Sequence, residues 1–181
     1  GLSEPCVAIV KHTNPCGMAI GGSVVEAFDR ALACDPVSAF GSIIATNRPL
    51  DLAFVERLGK LFVEVLVVPD ISDDALAFMA RKKRNCRVLV ANTPALGPAA
   101  PTGVVIRSTQ DGLLVQTTDD SSTEPGTWTT ATKDAPTAQQ RADLEFAWRV
   151  VKHIKSNAIV LVKDGATVGI GAGQTSRVGS V

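Results

Sequence analysis

Lys11 and His12 stand side by side directly after the apolar run Val7-Ala8-Ile9-Val10. A histidine titrates near neutrality and can carry a proton to or from a reacting group. An ammonium beside it favours an anionic or oxyanionic partner. The same pair is equally at home as a surface lysine and a capping histidine, so local sequence alone leaves both open. Asn14-Pro15-Cys16-Gly17 follows at once. It reads as a tight turn that presents backbone N–H groups to a ligand, or as a turn and nothing more. Ser38-Ala39-Phe40-Gly41-Ser42 sets one aromatic ring among small residues. Such a ring either packs against a flat ligand or plugs the core at a turn.

Gly169-Ile170-Gly171-Ala172-Gly173-Gln174-Thr175-Ser176-Arg177 is glycine-rich, but it fails the dinucleotide spacing. Counted from Gly171 the third glycine falls on Ser176, and counted from Gly169 it falls on Gln174. Close backbone approach to a ligand, with Arg177 as a clamp for phosphate or carboxylate, stays open. Asn157 lies at an expected helix-to-strand junction, where asparagine is a common C-cap. His153 reads as a packed or half-exposed helix residue. Pro15-Cys16 resembles the start of the deaminase zinc signature, yet position 19 is Ala and no H-x-E precedes it. Cys6, Cys16, Cys34 and Cys86 form no C-x-x-C pair, so no zinc site and no disulfide framework are expected.

Composition narrows the classes further. The 181 residues carry 18 Lys plus Arg against 18 Asp plus Glu, which argues against a polybasic nucleic-acid binder or a membrane-surface protein. Aromatics make up 4% with no tyrosine, so a base-stacking surface is not expected. No apolar run reaches the roughly 18 residues of a membrane span. No charged n-region leads an apolar stretch at the start, so no secretory signal is read there. Reduced cysteines and the absent signal together point to the cytoplasm.

The elements that must position these residues follow from periodicity. Continuous β-branched runs at 7–10, 43–45, 65–68 and 87–91 read as buried strands. Helices are expected over 24–33, with Ser23 and Glu26 as a capping box, over about 51–62, and from Ser72 to Lys83. The order from 7 to 91 is therefore β-α-β-α-β-α-β, an α/β sheet covered by helices. Two short strands at 104–106 and 112–116 lie between Pro-, Gly- and Ser-rich stretches at 93–103 and 117–136, the second read as a linker. Thr137 and Gln140 cap a long helix whose apolar stripe is Leu144, Ala147, Trp148, Val151 and Ile154. A strand at 158–162, an Asp164-Gly165 turn and a strand at 168–171 complete the chain. Residues 1–125 are expected to form one lobe, and 126–181 a linker with the incomplete start of a second.

Taken in order, Val10–Gly17, Cys34–Ser42, Phe62–Val65, Lys155–Ile159 and Gly169–Arg177 resemble the transformylase region of the bacterial aminoimidazole carboxamide ribonucleotide transformylase/IMP cyclohydrolase family. The resemblance covers essentially the whole chain. It implies a cytidine-deaminase-like three-layer α/β/α lobe without zinc, followed by the beginning of a similar lobe. It implies transfer of a formyl group from 10-formyltetrahydrofolate, as co-substrate, to the 5-amino group of the ribonucleotide in purine synthesis. By match to the family's motifs, His12 moves the proton and Lys11 stabilises the oxyanion or leaving group. Asn157 holds the substrate carboxamide, where an amide both donates and accepts. Phe40, Gly41 and Glu64 line the substrate and folate pocket, and Ser176 and Arg177 lie near folate or nucleotide. Nucleotide and folate are thus the expected ligands, in a homodimer with shared active sites. Further family segments are not in this sequence, so it is expected to be a piece of a longer chain with an incomplete pocket. The competing reading is a non-catalytic nucleotide- or folate-binding module on the same fold.

Overall fold

The computed structural model describes residues 2–91, 103–118 and 125–181. The chain divides into two compact units, one of residues 2–92 with 135–181 and one of residues 93–134. In the first, β1 (Cys6–Lys11), β2 (Asn14–Ile20), β3 (Ser42–Thr46), β4 (Val63–Val68), β5 (Arg87–Val90), β8 (Ile159–Lys163) and β9 (Ala166–Gly171) make one seven-stranded sheet. Its order is β5-β4-β3-β1-β2-β9-β8. β3, β4 and β5 run parallel, whereas β1 is antiparallel to both β2 and β3, and β9 is antiparallel to both β2 and β8.

Helices cover both faces. α1 (Val24–Cys34), α2 (Leu52–Arg57) and α3 (Asp73–Lys82) bury Ala27, Phe28, Ala31, Phe54, Val55, Ala75 and Met79 against Val7, Ile9, Ala19, Ile44 and Leu66. The Phe28 and Phe54 rings meet edge to face at 5.5 Å, a contact of about 0.5–1.5 kcal/mol beyond its area. α4 (Ala138–Val151) packs Phe146 and Val150 with Met18, Ile20, Val160 and Ile170. Met18 and Ile20 alternate along β2 with Ala19, which belongs to the other cluster, so α4 lies on the opposite face from α1–α3.

Several expectations are corrected. Asn14-Pro15-Cys16-Gly17 is not the tight turn expected, because Asn14–Ile20 is a strand hairpinned onto β1. The turn is only His12-Thr13, both at positive φ (51° and 65°), the geometry of a two-residue hairpin loop. α2 stops at Arg57 rather than near 62, since the chain turns back with Leu61 N–H donating to the Leu58 carbonyl at 2.9 Å. Ser23 caps α1 by accepting from Glu26 N–H, but the Glu26 carboxylate reaches Gly22 N–H instead of closing the box. The Thr137–Gln140 box on α4 is complete. That helix turns Phe146 and Val150 inward and leaves Leu144 and Trp148 of the expected stripe exposed, with Ala147 and Val151 half-buried; Ile154 is buried beyond its end. His153 also lies beyond the helix and is exposed.

The grouping of 2–92 with 135–181 also differs from a boundary at 125/126. β8 and β9, expected to open a second lobe with α4, lie in the sheet of β1–β5, and α4 belongs to the same unit. In the second unit, β6 (Val104–Thr109) and β7 (Gly112–Thr117) form an antiparallel ribbon with Ile106, Leu113 and Val115 exposed. Part of the expected linker, at 119–124, and most of the 93–103 stretch lie outside the described residues.

Candidate functional site

Strand direction gathers the chemistry-bearing residues at one end of the sheet. β1 ends there with Lys11, and β2 begins there with Asn14, the two paired across the His12-Thr13 turn. Because β3 runs against β1, its first residue, Ser42, is at the same end, and Phe40 and Gly41 directly precede it. Glu64, the second residue of β4, and Arg87, the first of β5, follow by the parallel register. β9 ends there at Gly171, opposite Ile159 at the start of β8. Asn157 therefore precedes that end, and Ser176 and Arg177 follow it. Ligands in doubly wound sheets sit at the carboxyl ends of parallel strands. Here β1 and β9 present their carboxyl ends, whereas β3, β4 and β5 present their amino ends.

Two clusters of contact organise this end. In the first, the Lys11 ammonium donates to the Phe40 carbonyl. Gly41 sits at φ 69°, and a Cβ added there would lie 3.3 Å from the Lys11 nitrogen, so a side chain at this position would be strained and crowded. Gly41 N–H donates to the Phe62 carbonyl at 2.8 Å, and the Phe40 and Phe62 rings lie 5.4 Å apart, tilted by 50°. The Phe40 ring stays 60% exposed. It is thus not the core plug that the bland reading of its segment predicts, but a ring presented to a neighbour and to solvent. His12, on its turn, is exposed as well.

In the second cluster, Asn157 is held by Gln174. The Asn157 N–H and Nδ2 both donate to the Gln174 carbonyl, at 3.2 and 3.0 Å, and Gln174 N–H returns to the Asn157 carbonyl at 3.3 Å. The buried Ser180 hydroxyl has its single proton to share between the Asn157 carbonyl at 3.1 Å and the Ser176 carbonyl at 3.3 Å. A Cβ on Gly171 would stand 1.9 Å from the Ser180 carbonyl oxygen, so only glycine lets this segment lie on the end of β9. Arg177 is exposed.

Glu64 engages Arg87 at 2.9 Å, with both side chains well exposed. Such a pair contributes about 0–1 kcal/mol. Cys16, beside the β1–β2 bulge, donates to the Ile9 carbonyl at 3.5 Å, and burial, then Asp35, pushes its thiol up to about 11. It is therefore a thiol, not a thiolate nucleophile, at neutral pH. Asp35 accepts from Ser38 N–H at 2.9 Å, and hydrogen bonding from Ser38 holds its carboxyl below its ordinary range. Among the described residues no three His, Cys, Asp or Glu side chains gather as a metal site, and no helix is long and apolar enough to cross a membrane.

Sequence reasoning missed Phe62 as the ring partner of Phe40, Arg87 as the partner of Glu64, and Ser180. Phe62 and Arg87 carry no sequence signal until the parallel register is known. A serine three residues beyond the Gly169–Arg177 run is equally unremarkable.

A profile of the AICARFT/IMPCHase bienzyme family matches residues 2–181. The chain belongs to that family. Among AICARFT/IMPCHase relatives, the bifunctional purine biosynthesis protein PurH of Mesorhizobium japonicum is 53% identical over 174 residues, 96% of this chain and 32% of that protein. PurH of Parvibaculum lavamentivorans is 51% identical over 176 residues, 97% of this chain and 32% of that protein. PurH of Desulfitobacterium hafniense is 50% identical over 180 residues, with coverages of 99% and 34%. The chain thus spans about a third of the length of the curated AICARFT/IMPCHase relatives it matches.

Proposed function

We propose that this chain carries the Lys-His part of a formyltransferase site and acts, in the complete enzyme, on aminoimidazole carboxamide ribonucleotide with 10-formyltetrahydrofolate as donor. The observation that carries the reading is the placement of Lys11, His12 and Asn157 at one end of one sheet, in a chain of the AICARFT/IMPCHase family. The acceptor amine is a poor nucleophile, because its lone pair is delocalised into the ring and carboxamide. Its nitrogen attacks the formyl carbon while His12 takes a proton from it. Lys11, oriented by the Phe40 carbonyl, faces the oxyanion of the tetrahedral adduct with its remaining N–H donors. The C–N10 bond then breaks, the proton passes to the departing N10, and tetrahydrofolate leaves. Asn157 holds the carboxamide and keeps the amine in line.

Phe40 and Gly41 line the pocket for the flat rings, Glu64 a polar edge of it, and Ser176 and Arg177 an anionic group of nucleotide or folate. The strand order β5-β4-β3-β1-β2, with β1 antiparallel to its neighbours and helices on both faces, supports a cytidine-deaminase-like lobe. No step in this mechanism needs a metal. The same reading makes the complete enzyme a cytoplasmic homodimer whose pockets are completed by a second lobe and a second copy. It is tested by formyl transfer in the protein expressed from its complete reading frame. His12→Ala and Lys11→Ala should each lower kcat by about 10²–10⁴-fold. Parental kcat in both variants, or saturable ligand binding without turnover in the parent, would overturn it, the latter in favour of a binding module.

A further inference from the structure

We infer that Asn14 is the positioning residue that sets the distance between the His12 turn and the Asn157 segment, an inference that rests on the roles proposed above for those two residues. Asn14 is the first residue of β2, paired with Lys11 across the turn. Its Oδ1 accepts the backbone N–H of Lys155 at 3.1 Å, across 141 residues of chain. Its Nδ2 faces the His12 carbonyl at 3.5 Å, the outer limit of a hydrogen bond. One amide thus reaches both the turn that carries His12 and the segment that carries Asn157, using its acceptor on one side and its donor on the other.

The backbone does not make this connection. β2 and β9 share a single residue pair, Ala19 with Ala166, far from the site. Next to it the ladder is continued by the Thr167 hydroxyl, which accepts from Met18 N–H at 2.9 Å and donates to the Met18 carbonyl at 3.1 Å. From Thr167 to the site end no strand pairing joins β2 to β9. On the far side of Asn14, Lys155 is tied onward, since its carbonyl accepts from Gly173 N–H at 2.7 Å. Gly173 adjoins Gln174, which holds Asn157. A shift of Lys155 therefore moves Asn157 relative to His12. The Asn14–Lys155 bond is exposed to water, so its effect is on geometry more than on stability.

The test uses Asn14→Ala, which removes the acceptor, and Asn14→Asp, which keeps it. Both are studied in the protein expressed from its complete reading frame, by formyl-transfer kinetics and by hydrogen exchange of the Lys155 amide. Asn14→Ala should expose that amide to faster exchange and lower kcat about 10–100-fold, the cost of a small misplacement of reacting groups. Asn14→Asp should restore Lys155 protection and most of kcat. Unchanged exchange in Asn14→Ala overturns the tether. Faster exchange with kcat within about twofold of the parent, or Asn14→Asp as slow as Asn14→Ala, overturns the positioning role. A parent protein without formyl transfer removes the reaction on which the role depends, and the exchange result then separates that failure from a missing tether.

Discussion

On one side of the β2–β9 junction, β1 to β5 are joined residue by residue, with four or more paired positions between each pair of neighbours. On the other side, β8 and β9 are well paired to each other but are bonded to β2 only near the far end, through one residue pair, the Ile20 N–H to Gly165 carbonyl bond and the Thr167 hydroxyl. Lys11, His12, Phe40, Gly41 and Glu64 belong to the first side; Asn157, Ser176 and Arg177 belong to the second. The first group stands on or beside a backbone hydrogen-bonded ladder, with Lys11 and Asp35 adding side-chain bonds to the turn before β3. The second is fixed by particular side chains and close contacts, namely Thr167, Ser180, Gly171 and Asn14. The proposed site spans this junction, so its two halves rest on different kinds of support.

The largest effect expected from disturbing that contrast is Gly171→Ala. The new Cβ meets backbone atoms of Ser180, which cannot rotate away, so the 173–180 segment must lift from β9. We expect a loss of about 1–3 kcal/mol of stability, with ribonucleotide binding weakened as well. Equilibrium unfolding and a binding titration together check this. Next is Thr167→Val, of nearly equal volume, which leaves the half-buried Met18 N–H without its acceptor. A cost of about 1–3 kcal/mol is expected, a fall of roughly 2–10 °C in the melting midpoint. Parental stability would show that the junction does not depend on the hydroxyl.

The smallest effect lies on the ladder side. Asp35, whose carboxyl Ser38 holds below its ordinary range, braces the turn that leads into Phe40 and Gly41. A depressed folded-state value means that its stabilisation is present above about pH 4, the unfolded value, and is lost as pH falls through the folded one. Stability measured from pH 6 downward should therefore decline more steeply in the parent than in Asp35→Asn, which keeps the acceptor oxygen without the charge. Equal slopes would remove Asp35 from the account.

Much of the ladder side was legible in the sequence. Val7–Val10 and Val65–Val68 are continuous apolar runs, and Ser23 and Thr137 announce helix starts through their own side-chain bonds. β2 was hidden because Pro15 and Gly17 are local breakers, and only the tertiary approach of α1 explains small residues there: Gly17 lies beneath the Ala31 carbonyl. The His12-Thr13 turn was hidden because neither residue is a usual choice at positive φ. The stripe on α4 was misread because three to four apolar residues repeat on more than one of its faces, and packing against β8 selected Phe146 and Val150. The proposed site residues are carried by an ordered set of motifs. Their grouping at one sheet end, and the Asn14–Lys155 link across it, depend on strand direction and long-range approach, which no local pattern encodes.

The central claim is that the two sides form one site. The most direct measurement is a titration of the isotope-labelled protein, expressed from its complete reading frame, with aminoimidazole carboxamide ribonucleotide, following backbone amide resonances. The account predicts that His12, Gly41, Asn157 and Ser176 shift together along a single saturation curve. Shifts confined to one side of the β2–β9 junction, or two sides saturating at different concentrations, would contradict it.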